Sequence, residues 1–192
     1  GLTAIDTATE SLAYYPVQIE KFLARYEALA AERGVGAVRN EWNEEETAIA
    51  EEFLTHALAI RAERAAALAE GREPRILELL QSWGGSTIAY RKRLIDSPSY
   101  TLNHEEVEKA LEEGIRFAEN LTPVRVEVDR YGHARALGVR AELEQDGEKA
   151  AREVELPART ILIAAGTQPN TVLAREDPEH FVLDGRYFQA LD

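Results

Sequence analysis

A mixed α/β fold with a helical segment near its start is what this sequence predicts, and three observations carry the expectation. Residues 1 to 82 place apolar side chains at helical spacing almost throughout, whereas the remainder alternates strand and helix signals. Residues 124 to 156 alternate apolar and polar positions around two turns, as a three-stranded antiparallel meander does. Residues 160 to 165, Thr-Ile-Leu-Ile-Ala-Ala, form an unbroken apolar run of the kind required by a strand covered on both faces.

The elements follow in order. Leu2, Ile5, Ala8, Leu12 and Tyr15 recur at helical spacing, and Pro16 is expected to end that helix or start the next. Ile19, Phe22, Leu23, Tyr26 and Leu29 then share one face, closed by Gly34. Asn43 followed by Glu44, Glu45 and Glu46 is a capped start whose acids match the helix dipole. That helix should reach about Ala69. Gly71 and Pro74 punctuate the chain before a short helix in RILELLQSW, so residues 16 to 82 predict a helical hairpin or small bundle joined near Trp83-Gly84-Gly85. Thr87 to Tyr90 is a short strand that runs straight into Arg91, Lys92 and Arg93. A loop leads to a helix with Asn103 and Glu106 in capping-box spacing and with Val107, Ala110 and Leu111 turned inward. Gly114 stops it. The meander turns at Tyr131-Gly132 and at Asp146-Gly147.

Composition excludes several classes of function. The chain has 192 residues with 22 Lys+Arg against 35 Asp+Glu, a formal net charge of -13 that repels nucleic acid and anionic lipid. No apolar run approaches the ~18 residues of a membrane span, and no basic-then-apolar leader is present, so a cytoplasmic location is expected. Zero cysteines remove disulfides, thiolate metal sites and a dithiol redox pair from these residues. The four histidines stand far apart with no helical i, i+4 pair, and no metal site is expected. Methionine is absent and Gly1 falls inside a helix start, so a piece of a longer polypeptide is expected.

Three stretches carry chemistry. A dinucleotide fold needs glycine where its first strand turns into its first helix, because a Cβ there would hold the backbone away from the pyrophosphate. It also needs a small residue three positions further on, for close helix packing. Gly1 and Ala4 suit the second and third positions of Gly-x-Gly-x-x-Gly/Ala. The second stretch is Arg91-Lys92-Arg93, since cations at the end of the second strand suit the 2′-phosphate of NADP and Arg can clamp a phosphate with two parallel hydrogen bonds. The third is Ala165-Gly166, a strand end where a flat ring or a ribose could approach the backbone.

Together, Gly-Leu-Thr-Ala-Ile-Asp, Thr-Ile-Ala-Tyr-Arg-Lys-Arg, the helix EEVEKALEEGIRF, the meander and Ile-Ala-Ala-Gly-Thr-Gln-Pro-Asn resemble one family. It is the NAD(P)H-binding domain of FAD-dependent pyridine nucleotide-disulfide oxidoreductases of the glutamate synthase small-subunit type. The resemblance covers residues 1 to 10 and about 84 to 175. It implies a partial Rossmann-like (FAD/NAD(P)-binding) domain whose first strand lies upstream, an α-helical insertion over residues 11 to 83, and a connection toward an FAD domain over residues 176 to 192. By resemblance Gly1, Leu2, Thr3 and Ala4 form the pyrophosphate turn, and Arg91 and Arg93 grip the 2′-phosphate with Lys92 as helper. Ala165 and Gly166 then line the nicotinamide side.

The implied activity is positioning of NADPH, rather than NADH, for hydride transfer to FAD, with electrons passed to an iron–sulfur or partner-subunit acceptor. No catalytic acid or base is assigned, because nicotinamide and flavin perform that step. Partners implied are the nicotinamide nucleotide, the FAD domain of the parent chain, and a partner subunit or homodimer. Two other readings stand beside it: a helical protein-interaction or dimerisation module, which an exposed apolar patch around Trp42, Phe53 or Trp83 would favour, and a nucleotide-sensing domain without catalysis. In a 3-2-1-4 sheet the missing strand would lie between the strand ending at Tyr90 and residues 160 to 165. The chain is therefore expected to shift a strand into the gap or to pair with a second copy, and to bind NADPH weakly.

Overall fold

The structure, a computed structural model, describes residues 1–145, 148–165 and 170–190. The Asp146-Gly147 turn and Gly166 lie outside the described residues.

The first helix, α1, runs from Leu2 to Arg33 without a break, a length of roughly 48 Å at 1.5 Å per residue. Pro16 lies inside it, contrary to the expected boundary. An interior proline removes one backbone bond at a cost of about 3 kcal/mol. Here Leu12, Pro16 and Ile19 are all buried along one face, so packing on either side carries the helix through. The short α2 (Val35–Arg39) turns the chain into α3 (Glu44–Glu70). Asn43 makes the full reciprocal cap: its Oδ1 accepts from the Glu46 amide at 2.9 Å, and Glu46 Oε2 accepts from the Asn43 amide at 2.8 Å. The helix α4 (Ile76–Ser82) follows.

Beyond Gly84-Gly85 the architecture changes to α/β. The strand β1 (Thr87–Ala89) is followed by a 3-10 turn (Leu94–Asp96), α5 (Pro98–Leu102), α6 (His104–Glu112) and β2 (Arg116–Ala118). The strands β1 and β2 pair in parallel, Ile88 opposite Phe117. The span expected as a loop thus contains α5, and this alters the next cap. Asn103 comes directly after Leu102 with φ -146 and ψ 53 and makes no side-chain cap bond; Asn43, with ψ -178, has the extended backbone that capping needs.

The meander forms as expected, with β3 (Leu121–Val128), β4 (Ala134–Gln145) and β5 (Glu148–Pro157) in antiparallel order. Its first turn is closed by Asp129 Oδ1, which accepts from the amides of Tyr131 at 2.8 Å and His133 at 3.0 Å. A short α7 (Leu173–Glu176) and a two-stranded hairpin of β6 (Leu183–Asp184) and β7 (Tyr187–Phe188) end the chain.

Two apolar clusters hold the molecule together. Ile5, Ala8, Leu12, Leu80, Val107, Ala110 and Ile115 join the first half of α1 to the α/β unit. Ile19, Leu23, Leu54, Ala57 and Ile60 join its second half to α3. Tyr15, Ile76 and Trp83 touch both clusters. The meander is clasped to α3 by Arg130 with Glu44, by His133 Nε2 with Glu45 Oε1 at 2.6 Å, and by Arg159 with Glu52 at 2.6 Å.

The expected strand at residues 160 to 165 is not formed. The segment has no ladder partner, and Leu162 and Ile163 are 55% and 89% exposed. An apolar run states a need for cover, but a strand also needs a neighbour for its peptide groups, and no described strand lies beside this one. No helix among the described residues is long and apolar enough to cross a membrane.

Glu63 fixes the exit of α3. Its carboxylate accepts from Arg72 Nη1 at 2.5 Å and from the Arg75 amide at 2.8 Å. The hydrogen bond from Arg72, then that from the Arg75 amide, holds its pKa down at about 2. A depressed carboxylate stabilises the fold fully above the unfolded value and loses that contribution as pH falls through the folded value. Thermal stability is therefore expected to drop between about pH 5 and pH 2, and Glu63→Gln should flatten that part of the profile. An unchanged acid limb in the variant would show that Glu63 does not contribute to it.

Candidate nucleotide site

Of the residues singled out in the sequence, Gly1 and Ala4 line a cleft at the start of α1, and Arg91, Lys92, Arg93 and Ala165 are not among its lining residues. Gly1, Ala4 and Ile5 line one small cleft with Ile88 and Tyr90 of the β1 region, Leu94, Ser97, Val107 and Phe117. Helix α1 packs directly on β1 and α6, so its first turn sits at the carboxyl end of β1. That turn is electrically open. No side chain caps it, it contains no acid, and its internal closure is the bond from the Ala4 amide to the Gly1 carbonyl at 3.0 Å. Gly1, Leu2 and Thr3 are exposed, and their backbone offers positive dipole charge to an anion.

The three cations follow β1 as an exposed turn. The backbone around them is pinned: the Tyr90 carbonyl accepts from the Leu121 amide at 3.0 Å and the Lys92 carbonyl from the Asn120 amide at 3.2 Å. The side chains divide. Arg93 is held by Asp96 in a two-pronged ion pair, Nε to Oδ2 and Nη2 to Oδ1, each 2.9 Å. The pair raises the Arg93 pKa and lowers that of Asp96, in each case chiefly through the hydrogen bonds they share. The side chains of Arg91 and Lys92 make no hydrogen bond or ion pair among the described residues. Asp96 was not among the residues expected here, although its i+3 spacing from Arg93 is visible in RKRLID.

Ala165 is exposed at the end of an unpaired segment, and it is not among the residues lining the cleft. Gly166 is outside the described residues. Leu94, Ser97, Val107 and Phe117 complete the cleft without having been foreseen; Val107 carried the only advance signal, as an inward position of α6. No group of three or more metal-ligating side chains occurs among the described residues.

No family model matches the chain. Over 185 residues, 89% of the chain, it is 32% identical to "Uncharacterized protein RP006" of Rickettsia prowazekii (strain Madrid E). The match spans 24% of that protein's length.

Proposed function

We propose that this chain is the nicotinamide-nucleotide-binding portion of a flavin-dependent oxidoreductase, of the type its motifs resemble, and that it holds NADPH in preference to NADH. The observation that supports the reading is the cleft where Gly1 and Ala4, at the open end of α1, meet Ile88 and Tyr90 at the end of β1, far away in sequence. A dinucleotide unit requires this arrangement: a helix N-terminus aimed at the pyrophosphate and a strand end beside the ribose. Gly1, Leu2 and Thr3 then contact the pyrophosphate through backbone N–H groups, Ala4 supplies the small side chain for close packing, and Arg91 with Lys92 takes the 2′-phosphate. Arg93 fits less well, because Asp96 already occupies its guanidinium; its part is to hold the turn that presents Arg91.

The nucleotide and the flavin supply hydride transfer when both are bound, and this chain's share is to orient the nucleotide. On this reading the flavin and the onward iron–sulfur or partner-subunit acceptor belong to other polypeptide. The reading of the helical part as a protein-docking module is less favoured. Trp42, Phe53 and Trp83 are partly buried against the α1 and α3 cluster, and Trp42 and Phe53 share one open cleft with Phe22 and Ile49 that Trp83 does not join.

Affinities for NADPH and NADH decide the matter. NADPH is expected to bind more tightly, and Arg91→Ala should weaken it by about tenfold, the value of one charged hydrogen bond, while leaving NADH unchanged. Arg93→Ala should cost less. Equal affinity for the two nucleotides, or a preference that Arg91→Ala leaves intact, defeats the proposal.

A further inference from the structure

One histidine sits at the joint between the helical segment and the α/β unit, and the proposed function makes no use of it. His56 of α3 is half-buried, with its Nδ1 2.7 Å from the Tyr15 hydroxyl of α1. Its ring lies flat on the indole of Trp83, centroids 3.8 Å apart and planes 10° from parallel. Tyr15 and Trp83 both touch the two apolar clusters. Trp83 leads directly into Gly84 and Gly85, whose φ values of +120 and +64 turn the chain toward β1.

We propose that His56 is a pH-operated clasp on this joint: neutral, it accepts the Tyr15 hydroxyl and stacks on Trp83; protonated, it lets both go and loosens the Gly84-Gly85 turn. The reason is a proton count. An imidazole has one acceptor nitrogen when neutral and none when protonated, whereas a phenol keeps a proton to place. Burial, then the charge of Glu52, pushes the Tyr15 phenol up to about 12, so it stays a donor throughout the neutral range. A proton added at Nδ1 therefore takes away the acceptor that the hydroxyl uses, and the hydroxyl must turn away or part. Among the described residues, the charged groups around the pair are Glu52, one helical turn earlier on α3, and Arg159 beyond β5, which Glu52 holds at 2.6 Å. Burial of the ring lowers the His56 pKa from the ordinary 6.5 and outweighs Glu52, which favours the charged form. The packed arrangement is thus the neutral one. Its stabilising contribution is complete above pH 6.5 and is lost as pH falls through the folded value. Because β1 carries Ile88 to the cleft, the loosening reaches that site whatever ligand it takes.

An imidazolium is also attracted to an indole face, so the test must separate release from a charged ring that stays stacked. The chain has two tryptophans, and Trp42→Phe leaves Trp83 as the reporter. On acidification its emission should move to the red along a one-proton curve with its midpoint below pH 6.5. His56→Gln, whose amide can still accept from Tyr15, should abolish that shift. In the unaltered chain, the Gly85 amide bonds to the Leu80 carbonyl at 2.9 Å. Its hydrogen exchange, corrected for the intrinsic effect of pH, should speed up several-fold over the same range, and in His56→Gln it should not. Quenching of Trp83 at constant wavelength with unchanged exchange at Gly85 means that the charged ring stays in place, and overturns the inference. A red shift that persists in His56→Gln, or no response to pH at all, overturns it equally.

Discussion

Ile60→Ala is expected to destabilise the whole chain, by about 2–5 kcal/mol as for other large-to-small changes in a packed interior. Ile60 is fully buried and sits with Ile19, Leu23, Leu54 and Ala57 where α3 crosses the second half of α1. The neighbours are carried by two long helices, which cannot collapse locally into the space left by the lost methyl groups, so a cavity remains. The sharper question is which part unfolds. If the helical segment were a separate body, Ile60→Ala would melt it and leave the α/β unit standing. The structure argues otherwise, because α1 is continuous and Tyr15, Ile76 and Trp83 touch both clusters. Far-UV and near-UV signals should therefore shift together to a lower midpoint, as one cooperative transition. Two separated transitions would sink that view.

The parts of this fold that are legible in sequence are those decided by neighbours in sequence. The cap at Asn43 and Glu46 forms as expected because four residues and their backbone contain the entire interaction. The same spacing at Asn103 and Glu106 fails, since α5 delivers the chain to Asn103 with the wrong ψ. Pro16 misleads for a related reason. Its local cost is real, but the buried face of a 32-residue helix outweighs it. The run at residues 160 to 165 needs cover, as its composition says, but composition cannot name the surface that provides it. At the candidate site, the open first turn of α1 and the exposed Arg91 are visible in the motifs. The capture of Arg93 by Asp96 shows in sequence only as an i+3 spacing, because it depends on the 3-10 turn at Leu94–Asp96, which folds the acid back onto the cation.

Gly114→Ala should be nearly as damaging as the loss of Ile60, and for two separable reasons. Gly114 ends α6 with φ +84, its amide bonding to the Leu111 carbonyl at 3.0 Å and the next amide, of Ile115, to the Ala110 carbonyl at 2.8 Å. A side chain in this left-handed region costs about 1–2 kcal/mol. A Cβ would also stand 2.6 Å from Leu77 Cδ1 and 2.9 Å from Gln81 Nε2. Those atoms belong to α4, whose Gln81 donates to the Gly114 carbonyl at 2.5 Å, so relieving the clash means giving up that tie. Forced repacking of this kind costs about 1–3 kcal/mol more. Gly132→Ala isolates the first contribution, because Gly132 has φ +88 but open space around its Cβ position. Urea denaturation of the two variants should show Gly114→Ala the more destabilised by roughly that steric margin. The excess should also reach the candidate site. Gly114 sets where β2 begins, β2 fixes β1 in register, and β1 leads into Tyr90, which lines the cleft. Equal losses for the two variants would mean that α4 yields freely to the new methyl group, and that the junction between the helical segment and the α/β unit is looser than its hydrogen bonds imply.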